Sequence, residues 1–192
     1  MAIFYIIRHA ETLSNKDRKI IGHGDSPLSS KGKLELVKLS KKFSGIKFDK
    51  IYSSDLGRAK QTSDILIKSL KYNNKIVYTK LLREIDYGKF SGLNKDIVSK
   101  KYPLYHKDIN FKNPSGESFK ELYSRVIKFI KRFEDEKKTY LIVTHAGCVR
   151  AIYSYFSGKD FQDNIDIHLG HNTVLECTSE GSMHRIKIVV NN

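Results

Sequence analysis

The 192-residue sequence predicts an α/β protein. Two observations carry that expectation. Short apolar runs of strand length alternate along the chain with segments of helical periodicity. Two of the apolar runs, F-Y-I-I at 4–7 and Y-L-I-V at 140–143, each deliver a histidine just past their carboxyl ends, the place where open α/β sheets put their ligands. The length and the 40% hydrophobic content suit one domain with one substantial core. No repeat, low-complexity tract or linker divides the chain.

In order, residues 2–7 form the first strand, which runs into Arg8 and His9. The polar stretch G-H-G-D-S-P-L-S-S-K-G at 22–32 reads as a loop, after which Leu36, Val37, Leu39 and Phe43 recur at helical spacing. F-D-K-I-Y-S-S at 48–54 is a short strand, followed by a helix with Ala59, Thr62, Leu66 and Leu70 along one face. K-I-V-Y-T at 75–79 alternates like a strand. Residues 84–117 are irregular and rich in Gly, Tyr and Pro, with at most a short helix near 94–101. Phe119, Leu122, Val126, Ile127, Ile130 and Phe133 then form the stripe of a helix that Ser118 caps. T-Y-L-I-V-T-H at 139–145 is a second buried strand, and Val149, Ile152, Tyr153 and Phe156 line the next helix. T-V-L-E-C-T-S and H-R-I-K-I-V-V close the chain as an antiparallel pair.

The formal net charge of +14 suits nucleic acid, an anionic membrane surface or a small phosphorylated substrate. The lysines are dispersed, with only short clusters such as Lys100-Lys101 and Lys137-Lys138. With no basic tract or base-reading motif, no nucleic-acid partner is expected and most of the charge is read as solvated surface. No apolar run approaches the ~18 residues of a membrane-spanning helix, so no membrane is expected. The N-terminal residues lack a basic n-region and a long apolar h-region, which points to the cytoplasm. Cys148 and Cys177 are expected as reduced, packed thiols. Neither they nor His23, His106, His168, His171 and His184 show metal-ligand spacing, so no metal and no cofactor are expected. The oligomeric state stays open.

His9 and His145 stand at strand ends, and Arg58 falls in the first turn or two of the helix after the third such strand. With Arg8 they are expected to converge on one anion, joined by backbone N–H groups at the start of the helix that Ala146 opens.

R-H-A-E-T at 8–12, Asn15 six residues past His9, S-S-D-L-G-R-A-K-Q-T at 53–62, L-R-E-I-D-Y-G-K-F-S-G at 82–92, P-S-G-E-S at 114–118 and V-T-H-A-G at 143–147 occur in that order. Together they resemble the histidine phosphatase superfamily, the phosphoglycerate mutase-like fold, over essentially the whole chain. The resemblance implies a three-layer α/β/α sandwich around a mostly parallel sheet. It also implies that His9 is a nucleophile forming a phosphohistidine, and that Glu84 is the general acid. The physics of phosphoryl transfer fits those roles. Neutral imidazole can attack phosphorus, and the rest of the catalysis is positioning and electrostatic stabilisation. Arg8 and Arg58 can grip phosphate oxygens bidentately, with His145, Asn15 and the Ala146 N–H as further donors. Asp86 is the alternative acid. The resemblance also places Tyr87 and Lys95 on the substrate, Thr12 and Gly22 at the mouth, and His171, just before N-T-V-L-E, near the rim.

The superfamily divides into mutases and phosphatases. The stretch E-I-D-Y-G-K-F-S-G-L-N-K is similar to the mutases. However, the interval from Glu84 to His145 lacks their long insertion with its adjacent arginine pair, and Arg125 lies within the helix at 119–133. The chain is also short for a mutase. The expectation is therefore a metal-independent phosphatase for a small phosphorylated metabolite, most similar to fructose-2,6-bisphosphatase-like and α-ribazole-phosphate phosphatase-like members. Mutase-type transfer is the alternative, and a phosphoprotein phosphatase a further one.

Overall fold

The computed structural model describes residues 1–171 and 173–190. Six strands form one sheet: β1 (Ala2–Arg8), β2 (Lys50–Ser54), β3 (Val77–Thr79), β4 (Thr139–Thr144), β5 (Val174–Glu180) and β6 (Met183–Val190). Their spatial order is β3-β2-β4-β1-β5-β6. The first four are parallel, β5 runs antiparallel to β1, and β6 runs antiparallel to β5 and so returns to the direction of the first four. The helices are α1 (Leu13–Lys16), α2 (Ser30–Ser40), α3 (Gly57–Leu70), α4 (Lys95–Lys101), α5 (Phe119–Ile130), α6 (Ala146–Ser157) and α7 (Phe161–Asn164).

The near-continuous apolar runs of β1 and β4 reflect burial on both faces, as parallel strands require. Alternate residues serve opposite layers. Phe4, Ile6, Tyr52, Ile142 and Leu175 pack with α5 and α6, whereas Ile7, Ile51, Leu141, Val143 and Val174 pack with α2 and α3. The result is the expected three-layer α/β/α sandwich around a mostly parallel sheet. Fully burying a side chain of this size contributes about 1.5–3 kcal/mol, so the centre of the sheet is a rigid platform.

Several local expectations need correction. Val37 is 46% exposed: the inward face of α2 passes through Leu36 and Leu39, and Val37 lies on the other side. The S-S-K-G end of the expected 22–32 loop already begins α2, because Ser29 caps it by accepting from Gly32 N at 2.9 Å. Phe43 is buried, but on a 3₁₀ turn after α2. Phe133 packs on the core from beyond the end of α5. β3 begins at Val77 rather than at 75, and Val77 and Tyr78 are exposed on a sheet edge. The short helices α1 and α7 carry too few residues to show a periodicity. Asn172, inside the stretch matched near the rim, lies outside the described residues.

Register fixes the site. Arg8 pairs with Thr144 and Ser53 with Val143, so β1, β2 and β4 end level with one another. His9 N donates to Thr144 O at 2.8 Å. His9 and His145 therefore emerge side by side, with ring centroids 5.1 Å apart.

Candidate active site

A cavity of about 220 Å³ opens at these strand ends, lined among others by Arg8, His9, Arg58, Glu84, Ala146 and Gly147. His9 is only 3% exposed. Its Nδ1 lies 2.8 Å from Ala10 O. A carbonyl accepts only, so this partner assigns the proton to Nδ1 and leaves the lone pair on Nε2. Arg58 Nε donates to that Nε2 at 3.2 Å. Burial holds the His9 pKa well below the usual imidazole value, and Arg58, Arg8 and His171 push in the same direction. His9 is thus a neutral imidazole whose one basic nitrogen faces the cavity.

Arg58, in the first turn of α3, is 1% exposed. Its Nη1 and Nη2 donate to Gly24 O and Gly22 O, each at 2.8 Å. This lets a loop hold the guanidinium against His9. Gly22 adopts φ +53° to make the turn. Thr62, one turn along α3, accepts from Ala10 N at 3.1 Å and so ties the helix to the segment behind His9. Burial lowers the Arg58 pKa, with Glu84 opposing the shift. Arg8 is lowered to about 10, also chiefly by burial, and keeps its charge at neutral pH.

His145 is fully buried, with Nε2 2.8 Å from Ser54 Oγ. Ser54 Oγ also accepts from Leu56 N at 3.3 Å, and its remaining lone pair and its O–H let it either accept from or donate to Nε2. His145 Nδ1, like Arg8 Nε, is buried without a hydrogen-bond partner. Arg8 Nε is an orphaned buried donor on the cavity wall and asks for an acceptor, whereas His145 does not line the cavity and stands beside His9 behind it. His145 is held well below its ordinary pKa by burial, then by Arg58, His9 and Arg8.

Glu84 lies against the start of α6. Gly147 N donates to its carboxylate at 3.1 and 3.4 Å, and Ile85 N donates to Oε1 at 3.0 Å. A Cβ on Gly147 would sit 2.5 Å from Glu84 Oε1, so this glycine makes room for the carboxylate. The Glu84 carbonyl meets Arg125 Nη2 and His23 Nε2, each at 2.9 Å. Arg125 also forks onto Glu117 at 2.6 and 2.8 Å. Arg83, the neighbour of Glu84, pairs with Asp55 at 2.6 Å through both nitrogens. Arg125 is therefore a brace for the Glu84 segment, and Arg132, the other arginine of that interval, is exposed beyond the end of α5. Asp86 is committed elsewhere: Oδ1 accepts from Gly88 N at 2.9 Å, and the residue does not line the cavity.

Tyr87, Lys95, Asn15, Gly22 and Ala146 all line the cavity. Asn15 uses Oδ1 to accept from Thr12 N and Thr12 Oγ1, at 3.1 and 2.8 Å. It is thus a cap whose amide NH₂ remains for the cavity, and Thr12 is its buried partner. His171 is not on the wall. Its Nδ1 meets His9 O at 2.8 Å, and its ring lies 5.4 Å from that of His9, so it backs His9. Sequence reasoning missed Gly147, Arg150, His106 and His23. Gly147 and Arg150 were within reach, because both follow His145 on a helix whose start was already assigned to the site.

The chain belongs to the histidine phosphatase superfamily: the model of its branch 1 matches residues 4–191. A curated relative, the 2,3-bisphosphoglycerate-dependent phosphoglycerate mutase of Bartonella henselae, is 29% identical over 176 residues, covering 85% of each chain. Among solved structures, Bacillus stearothermophilus YhfR superposes with a TM-score of 0.87 at 25% identity, over 98% of this chain and 96% of that one. The α-ribazole phosphatase from Shigella flexneri shares the fold with a TM-score of 0.86 at 21% identity, over 99% and 100%. The Bartonella match corrects one expectation. A mutase-named relative is matched along most of its own length, so chain length does not separate mutase from phosphatase.

Proposed function

We propose that the protein is a single-domain, metal-independent cytoplasmic phosphatase that hydrolyses a small phosphomonoester through a phosphohistidine on His9. One observation carries this reading: a buried, neutral His9 whose Nε2 lone pair faces the cavity, with Arg58 on it and Arg8 beside it. As the phosphoryl group enters, Arg58 Nε–H turns from His9 Nε2 to a phosphoryl oxygen; the freed Nε2 lone pair attacks phosphorus in line, the ester P–O bond breaks, and Glu84 gives its proton to the departing alkoxide. Water then attacks phosphorus and surrenders a proton to the Glu84 carboxylate, and the P–N bond breaks to restore neutral His9. Arg8, Arg58, His145, the Asn15 amide and the Ala146 N–H receive the charge on the equatorial oxygens. Tyr87 and Lys95 face the alcohol. The small cavity favours a metabolite over a phosphoprotein, since ligand pockets commonly run to ~300–1,000 Å³. Two buried free thiols fit a reducing compartment.

The Bartonella relative, with Tyr87 and Lys95, supports the second reading, transfer to a bound hydroxy acid. Quenched single-turnover labelling with ³²P substrate separates the two. Acid-labile label on His9 that becomes inorganic phosphate supports the phosphatase. Label passing to an added hydroxy acid supports the mutase, and label on His145 overturns the assignment of the nucleophile. Activity is expected to persist in excess chelator, because the arginines already supply the positive charge; loss restored by added divalent metal refutes that part.

A further inference from the structure

The G-H-G turn at 22–24 sets one side chain between two carbonyl groups that serve Arg58. Gly22 O and Gly24 O each accept from that guanidinium at 2.8 Å. His23, between them, reaches the Glu84 segment instead, with its Nε2 2.9 Å from Glu84 O. A carbonyl only accepts, so Nε2 carries the ring proton and His23 is the donor. The side chain is 31% exposed and does not line the cavity. It meets the backbone of the acid rather than a substrate.

That contact completes a bracket around Glu84. Arg125 Nη2 donates to the same carbonyl at 2.9 Å from α5, so both lone pairs of Glu84 O are used and the peptide plane after Glu84 is fixed. The N–H groups of Gly147 and Ile85 hold the carboxylate at the other end of the residue. Arg125 and Gly147 belong to packed helices, whereas His23 stands on a turn. Among the described residues it makes the one hydrogen bond that joins 22–26 to 82–88. Its Nδ1 adds an ion pair with Asp86 Oδ2, 3.7 Å away, whenever the ring is charged. The turn has other anchors of its own. Ser26 Oγ accepts from Ser14 N at 3.0 Å, and the Asp25 carboxylate lies so close to the first turn of α3 that a Cβ on Gly57 would run into it. Loss of the His23 ring therefore loosens Glu84 and leaves Arg58 its carbonyl partners.

We propose that His23 is a positioning residue for proton delivery. By joining the turn that holds Arg58 to the backbone of Glu84, it sets where the acid stands relative to the phosphoryl group. Proton transfer to a leaving oxygen demands hydrogen-bond reach, so a slack Glu84 backbone weakens that step before any other. This rests on the reading of Glu84 as the acid of a phosphoester site.

The test measures single-turnover phosphohistidine formation from glycerol 3-phosphate and from p-nitrophenyl phosphate. His23→Ala and His23→Leu, which remove the donor, are expected to slow the alkyl ester at least ~10-fold more than the aryl ester. His23→Gln, which restores an N–H at similar reach, is expected to return the alkyl-to-aryl ratio to within ~3-fold of the wild-type value. An unchanged ratio in the two donor-less variants overturns the proposal, as does a His23→Gln variant no better than they are. Amide ¹H–¹⁵N signals read the positioning without turnover. Those of Gly147 and Ile85, which donate to the Glu84 carboxylate, are expected to shift in the donor-less variants and to recover in His23→Gln, with the Arg58 Nε–H signal unmoved. Signals unmoved at Gly147 and Ile85 overturn the proposal whatever the rates, and a shift confined to Arg58 does the same. Should the wild-type protein leave glycerol 3-phosphate uncleaved, these signals alone decide; should it cleave neither ester, the phosphatase reading fails as well.

Discussion

Glu84 and Gly147 show how closely one role depends on another residue. A proton donor matters in proportion to how poor the leaving group is. Glu84→Gln is therefore expected to slow phosphohistidine formation from an alkyl phosphate by ~10²–10⁴-fold, and far less from p-nitrophenyl phosphate, whose phenolate leaves unprotonated. Equal slowing in single-turnover assays refutes Glu84 as the acid. Gly147→Ala places a methyl group 2.5 Å from Glu84 Oε1. That atom is the far end of a flexible side chain, so the fold is expected to absorb the change while the carboxyl group moves. The variant should keep its Tm within a few degrees and reproduce the leaving-group pattern of Glu84→Gln. A displacement of about 1 Å can cost ~10²-fold in rate. A rate loss independent of leaving group shows instead that α6 itself has shifted.

At the level of elements, what the sequence made legible and what it did not have distinct physical causes. Two-sided burial makes β1 and β4 read as continuous apolar runs, and their register then carries His9 and His145 to one edge. The α5 cap was equally readable. Ser118 Oγ accepts from Glu121 N at 3.2 Å, and Glu121 Oε2 accepts from Ser118 N at 2.7 Å. Ser118→Ala is expected to cost about 0.5–2 kcal/mol in urea unfolding and to leave the alkyl-to-aryl substrate ratio untouched. A change in that ratio means the cap positions the active site as well. The wall from Glu84 onward was hard to read because its order comes from long-range contacts. Arg125 reaches back to the Glu84 carbonyl, and Gly88 and Gly116 lie backbone to backbone. His106 looked like one histidine among several without metal spacing, since only the folded chain sets it beside Tyr87.

For the whole molecule, the buried histidines set the response to acid. His171 is lowered to about 4 and His106 to about 3, in both cases chiefly by burial, and His9 and His145 are also held well below the ordinary value. Between these values and about 6.5 the unfolded chain binds more protons than the folded one, so stability falls as pH falls. Urea midpoints are expected to drop between pH 6.5 and pH 5, above the main range of carboxylate titration, and His106→Gln to flatten that slope. A midpoint constant across the window refutes the neutral state of these rings. The arrangement of supports around the cavity has a separate consequence for how such an enzyme changes over generations. On the proposed mechanism the strand ends and the starts of α3 and α6 hold the phosphoryl group, whereas Tyr87, Lys95 and His106, from turns and short helices between 86 and 117, line the part of the wall left for the alcohol. Mutations accumulating in those turns alter which alcohol is accepted while the bond-breaking apparatus stays in place. A descendant can thus acquire a new diet without passing through an inactive ancestor.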